Sequence, residues 1–138
     1  MEYALVDTGV WYAVFDSRDQ NHSEGCGIAD VLEILNVVVP WPTLYETLRS
    51  RFVKNTPALQ GFERMLVLPN VVRLDDSPYR DEALDLMFES STKRRPLSLV
   101  DCLIRLVLDD GSVNIRYLAK FNRGDFRDVC HRRSIEMI

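Results

Sequence analysis

Little in this chain points to cross-linking, membrane insertion or nucleotide cradling. Its three cysteines, Cys26, Cys102 and Cys130, are odd in number and lack C-x-x-C spacing. Neither a disulfide framework nor a zinc cage is therefore expected, and they read as reduced packing residues. Cys130 adjoins His131, but no second Cys/His pair completes a tetrahedral site. Apolar runs such as Val37-Val38-Val39 and Leu66-Val67-Leu68 fall far short of the about 20 residues that span a bilayer. No membrane partner is expected. The start, Met1-Glu2-Tyr3-Ala4-Leu5-Val6-Asp7, has no basic n-region and does not read as a secretory signal, so a cytoplasmic location is expected. No G-x-x-x-x-G-K-[ST] loop is present, and no G-x-G-x-x-G follows the first apolar run. A receiver domain is disfavoured too, because Val37 to Thr43 carries no aspartate to act as phosphoacceptor.

Positive charge is also scarce. With 17 basic and 21 acidic residues the formal net charge is −4, which by itself argues against a nucleic-acid partner. Distribution matters more than the sum. Basic residues gather at Arg49, Arg51 and Lys54, at Lys93-Arg94-Arg95, at Lys120 and Arg123, and at Arg132-Arg133, although any one cluster is most simply a solvated face.

What is present is enough for one core: 138 residues, 46% hydrophobic, give no reason to divide the chain, so residues 1–138 are expected to form a single domain. Tyr3 to Val6 reads as a buried strand ending at Asp7-Thr8-Gly9, with a helix over Val10 to Phe15. Ser23 caps a helix carrying Ile28, Val31, Leu32 and Leu35, which stops near Asn36. Val37 to Val39 forms a second strand, closed by Pro40. Pro42 and Thr43 open one helix through Glu46, Leu48 and Phe52 to Lys54, and another covers Ala58 to Leu66. Val71 to Leu74 is a third strand, and Ser77-Pro78 starts a helix through Phe88. Ser98 caps the apolar helix Leu99 to Leu108. Ile115 to Phe121 is a fourth strand and Ile135 to Ile138 a short edge strand. Alternating strands and helices predict an α/β fold, a mostly parallel sheet of four to five strands with helices on both faces.

In such sheets ligands bind outside the carboxyl ends of the strands. Asp7, Glu46, Asp101 and Asp125 all fall at that edge in this reading. Each has a plainer role available, in helix capping, dipole matching or a turn. Together, carboxylates sharing one cleft repel unless a cation neutralises them. All-oxygen donors without flanking His or Cys suit Mg2+ or Mn2+, ions that serve phosphoryl chemistry.

Four segments then resemble one family. Ala4-Leu5-Val6-Asp7-Thr8-Gly9-Val10-Trp11, Leu44-Tyr45-Glu46-Thr47-Leu48, Ser98-Leu99-Val100-Asp101-Cys102-Leu103-Ile104 and Phe121-Asn122-Arg123-Gly124-Asp125-Phe126 are similar, in order and spacing, to PIN-domain ribonucleases, among them VapC-type toxins. The resemblance covers nearly the whole chain. It implies a PIN-like three-layer α/β/α fold and metal-dependent endoribonuclease activity against RNA, within a type II toxin-antitoxin pair. Asp7 and Asp101 would be the principal ligands, Glu46 would act on the metal or its water, and Asp125 or Asn122 would complete the site. Thr8 and Ser98 would orient those carboxylates or cap their helices. The chain departs from the family at Lys120, where Ser or Thr is frequent, which leaves Asn122 and Asp125 in competition. His22 resembles a family histidine but fits a capping or surface role better. A cognate antitoxin and a homodimer are implied as partners. Trp11, Tyr12, Phe15, Phe52 and Phe62 could touch either one, though their helical spacing favours the core. The rival expectation is a catalytically inactive PIN-like domain that binds RNA or acts as a scaffold.

Overall fold

The first strand, β1 (Tyr3–Val6), lies at the centre of a five-stranded sheet. Three of its four residues are buried and none is charged, as befits a strand covered on both faces. β2 (Asn36–Pro40) pairs on one side of it, and β3 (Val71–Leu74) lies outside β2. β4 (Ile115–Ala119) pairs on the other side, and the two-residue β5 (Glu136–Met137) lies outside β4. In the order β3-β2-β1-β4-β5 every pairing is parallel. The architecture is thus the expected α/β one, with an all-parallel sheet rather than a mostly parallel one. The computed structural model describes residues 1–93 and 96–138; Arg94 and Arg95, from the basic run noted above, lie outside the described residues.

Side chains alternate across the sheet and so divide the core in two. Ala4, Val6, Val37 and Val39 face one helical layer: α1 (Thr8–Phe15), α2 (His22–Leu32), α3 (Trp41–Thr47), α4 (Ser50–Val53) and α5 (Thr56–Leu66). Leu5, Val38 and Leu118 face the other: α6 (Arg80–Ser90), α7 (Leu99–Asp109) and α8 (Arg127–Arg133). Phe62 makes edge contacts with Trp11, Phe15 and Phe52 at 5.7, 5.7 and 5.8 Å. Trp11, Phe52 and Phe62 are buried, so these rings form the core of the first layer and are not free for a partner.

Several boundaries differ from expectation. The helix expected from Thr43 to Lys54 is two, because Leu48 leaves helical geometry at φ −84°, ψ 48° and Arg49 is extended. α2 stops at Leu32, which frees Leu35 to turn inward before β2. A short 3-10 turn, Ser77–Tyr79, precedes α6. α8 was not foreseen; it ends at Ser134, whose left-handed φ of 56° lets Ile135 N donate to Cys130 O at 2.8 Å. Cys102 and Cys130 are buried as expected, but Cys26 is exposed and is not a packing residue. Arg132 and Arg133 both pair with Asp109, at 3.1 and 2.9 Å, and so belong to a surface ion cluster. No helix among the described residues is long and apolar enough to cross a membrane.

Candidate active site at the carboxyl ends of β1 and β4

Chain order places the switch point beside β1: the chain passes from β1 to β2 and β3 on one side, then returns to β4 on the other. Crevices open at such points. Val6 pairs with Ala119, the last residues of their strands, and Asp7 N donates to Ala119 O at 3.0 Å. Asp7 and Lys120 therefore leave the sheet side by side. Asp7 is the N-cap residue of α1, yet its side chain makes no capping hydrogen bond. Its carboxylate instead accepts from Lys120 Nζ, with Oδ2 at 3.1 Å.

Lys120 is 7% exposed, an uncommon setting for an ammonium. Its Nζ also lies 4.0 Å from Asp101 Oδ1 and 4.8 Å from the centre of the buried Phe126 ring. Two carboxylates and a π-face thus compensate the charge that burial would otherwise penalise.

Asp101 stands in the first turn of α7, where Ser98 caps the helix by accepting from Asp101 N at 3.1 Å. Burial pushes the Asp101 carboxyl above its usual range and the negative charges of Asp7 and Asp125 add to this, while Lys120 and a hydrogen bond from Ser98 oppose it. Glu46, near the end of α3, is raised chiefly by burial, with Asp7 and Asp101 contributing; Thr8 and Lys120 pull it down. The Thr8 hydroxyl donates to Glu46 Oε1 at 3.2 Å. Around it, the Thr47 hydroxyl donates to Thr43 O and the Thr43 hydroxyl to Pro40 O, each at 2.7 Å. The Tyr12 hydroxyl donates to the Glu46 carbonyl at 2.7 Å and so ties α1 to the end of α3.

Asp7, Glu46, Asp101 and Asp125 are all partly buried, and the first three act on one another electrostatically. Asp125 reaches Asp101 through its charge, whereas Asn122 is exposed and makes no hydrogen bond among those of the described residues. Arg105 on α7 fixes the Asp125 segment, donating from Nη1 to Asp125 O at 2.6 Å while forking onto Asp128 at 2.7 and 2.6 Å. His22 stands apart from the cluster, with Nδ1 2.7 Å from Ala13 O, where it joins α2 to α1.

Sequence reasoning saw Lys120 only as a departure and as a basic surface residue. The signal that could have found it is positional: a lysine directly after the apolar strand Tyr117-Leu118-Ala119 emerges beside whatever ends the neighbouring strand. Arg105 left no such sign.

Among the described residues no three Asp, Glu, His or Cys side chains are gathered to enclose an ion, and an ammonium stands between Asp7 and Asp101. By donor type and charge the residues still fit a hard divalent cation. The carboxylates of Asp7, Glu46 and Asp101 carry three negative charges against one from Lys120, and their repulsion adds to burial, the larger cause, in raising Glu46 and Asp101. Beside Glu46 opens a groove of about 670 Å3 lined by Tyr45, Arg49, Arg80, Leu84, Leu99 and Leu103, among others. Arg49 also lines a second depression of about 660 Å3, with Arg18 and Arg51.

No family model and no curated protein matches the chain. Solved structures do. One is the crystal structure of VapC20 from Mycobacterium tuberculosis, a toxin that cleaves the sarcin-ricin loop, with a TM-score of 0.70 and 18% sequence identity, covering 88% of this chain and 92% of that one. The fold is that of a VapC-type PIN domain. On this VapC-like framework the end of β1, the end of α3, the start of α7 and the segment before α8 carry the acids described above.

Proposed function

We propose that the protein is an endoribonuclease that hydrolyses RNA phosphodiester bonds with Mg2+ or Mn2+, and that it is the toxin of a type II toxin-antitoxin pair. The observation that carries this reading is the surplus of negative charge at the switch point, where burial first, and after it the charge of Asp7, hold Asp101 and Glu46 above their ordinary carboxylate range. A hard divalent ion relieves that repulsion and, when bound, supplies the Lewis acidity that activates water and stabilises charge at phosphorus. Asp7 and Asp101 would hold it, with Asp125 as the further ligand, since Asp125 is half-buried and its charge reaches Asp101 while Asn122 is exposed.

Glu46 is suited to take the proton of the attacking water, because a carboxyl whose affinity for protons is raised is the better base near neutrality. Thr8, by donating to Oε1, keeps the other carboxylate oxygen turned to that task. Arg18, Arg49 and Arg51, beside the groove next to Tyr12, offer charge to the RNA backbone on either side of the cleaved bond. The likeness to a toxin that cleaves the sarcin-ricin loop makes a ribosomal hairpin the first RNA to try. A cognate antitoxin, a homodimeric assembly and a cytoplasmic location belong to the same proposal.

The test is cleavage of structured RNA by the purified protein with and without Mn2+ or Mg2+. Cleavage should need the ion, and Asp7→Asn or Asp101→Asn should abolish it while leaving the melting transition cooperative. Retained cleavage in both variants would sink the reading. RNA retention without turnover by the unaltered protein would instead mark a binding domain.

A further inference from the structure

We propose that the groove beside Glu46 is a subsite for one unpaired nucleotide of RNA, whose base stacks on Tyr45 and whose phosphate is held by Arg49. The inference rests on the ribonuclease reading above and deepens it, from RNA in general to RNA met at an unpaired position.

Three observations carry it. First, an aromatic face stands in solvent next to the candidate base. Thr43, Leu44 and Thr47 of α3 are buried, whereas Tyr45 is 72% exposed and adds nothing to the core. Trp41, one turn earlier on the same helix and 39% exposed, backs it with ring centres 6.2 Å apart. Second, the groove has the size and walls for a single base. Tyr45, Leu84, Leu99 and Leu103 line it together with Glu46, so a strand whose phosphodiester reaches Glu46 has a nucleotide here. Its volume of about 670 Å3 falls within the about 300–1,000 Å3 of sites that hold one small ligand. A base inside a duplex has both faces covered by its neighbours, and only an unpaired one can be splayed out to stack on a protein ring.

Third, the charges select one phosphate. Of the arginines lining the groove, Arg80 is committed to Asp76, with Nε and Nη2 each 3.0 Å from its carboxylate. Arg49 is exposed and forms no ion pair among those of the described residues. Its charge is felt at the Tyr12 hydroxyl, which donates to the Glu46 carbonyl, so the guanidinium lies close to the residue that would take the proton. Asp81, also on the wall, disfavours a second phosphate. Arg49 lines the neighbouring depression as well, and so marks where the strand passes on toward Arg18 and Arg51.

The experiment is binding of a fluorescein-labelled single-stranded RNA decamer to the whole chain without metal, followed by anisotropy and compared with the same sequence as a duplex. The single strand should bind more tightly. Tyr45→Ala should weaken it about tenfold, within the range that a base stacked on an aromatic ring contributes. Tyr45→Phe should restore it, and Tyr45→Leu, apolar but without a π-face, should not. Arg49→Ala should lower the slope of log affinity against log salt by about 0.7, one phosphate of a single strand, and Arg49→Lys should keep it. These variants replace exposed side chains and should melt as the unaltered protein does. Phe88→Ala, which removes an exposed ring on α6 outside the groove, should bind RNA unchanged. Equal affinity for strand and duplex, unchanged affinity in Tyr45→Ala, or full affinity in Tyr45→Leu overturns the inference, the last marking an apolar groove fitted to a protein segment. If Tyr45→Ala binds RNA as the unaltered protein does, and the unaltered protein cleaves RNA with Mn2+, the ribonuclease reading survives and only the subsite falls. If the unaltered protein binds RNA through Tyr45 but cleaves none, the subsite stands and the ribonuclease reading falls. If it neither binds nor cleaves, both fall.

Discussion

The Thr8 hydroxyl lies 3.2 Å from Glu46 Oε1 and 3.4 Å from Thr43 O, and its single proton serves the nearer, charged acceptor. That bond is the largest influence lowering the proton affinity of Glu46 against burial and its acidic neighbours. Thr8→Val keeps the shape and removes the donor, so Glu46 rises further. An ionised Glu46 is needed at the site, and the acid limb of the pH–rate profile should move to higher pH. On the acid side of neutrality the rate should fall about tenfold, in the range seen when a partner of a site carboxylate is lost. Thr8→Ser should restore both. A profile that does not move in Thr8→Val removes this role for the hydroxyl.

The bidentate pair of Arg105 and Asp128 holds α7 to α8, and the same guanidinium grips the Asp125 carbonyl. Its hydrogen bonds hold Asp128 down at about 2. A carboxyl lowered on folding adds stability that is complete above its unfolded value of 3.8 and is lost as pH falls toward 2. Asp128 is 61% exposed, so solvent screens the pair and its contribution is about 1 kcal/mol. Asp128→Asn should therefore flatten the stability curve between those pH values and cost little activity. Arg105→Met should cost more, because it also frees the segment carrying Asp125, and should lower RNA cleavage. Equal effects of the two changes on cleavage would separate Asp125 from this support.

Much of this arrangement can be read from the sequence, for reasons that also mark where reading stops. β1, β2 and β4 are short apolar runs closed by polar or proline residues, and a strand buried on both faces can look no other way. Ser98 and Asp101 at cap spacing announce the start of α7. The break between α3 and α4 has no such mark, since Leu48 and Arg49 are ordinary helix formers, yet Leu48 leaves helical geometry and Arg49 is extended. α8 is seven residues long and stops at a serine where glycine is the usual signal. Lys120 was visible as a letter but not as a buried charge, because burial depends on which residue ends the neighbouring strand.

Tyr79 and Asp110 make a second linkage that pH can expose. The Tyr79 hydroxyl donates to Asp110 Oδ2 at 2.6 Å, and burial together with the lost bond to that carboxylate pushes its ionisation up to about 12. A tyrosine raised on folding contributes stability that is complete below its unfolded value of 10.0 and is lost as pH rises toward 12. In the native protein Tyr79 should be absent from the phenolate absorbance that appears first on alkaline titration. Tyr79→Phe should reduce the alkaline loss of stability by the share that Tyr79 contributes and leave the early phenolate signal unchanged. A reduced early signal in that variant would place Tyr79 among the freely ionising tyrosines.

Two glycines of α2 should respond oppositely to the same change. A Cβ at Gly25 would lie 2.8 Å from the backbone carbon of Ala13, so glycine there is what lets α2 approach α1. Gly25→Ala must push the helices apart, at about 1–3 kcal/mol. That shift also strains the contact of His22 with Ala13 O and displaces α1, which begins at Thr8 beside the acids. Cleavage should fall along with the melting temperature. Nothing lies within 4 Å of a Cβ at Gly27, which is exposed in the same helix. Gly27→Ala should stabilise by about 0.5–1 kcal/mol, because alanine loses less backbone freedom on entering a helix. Thermal melts of the two single variants check the pair, and a stabilising Gly25→Ala would show that α1 and α2 do not depend on that contact.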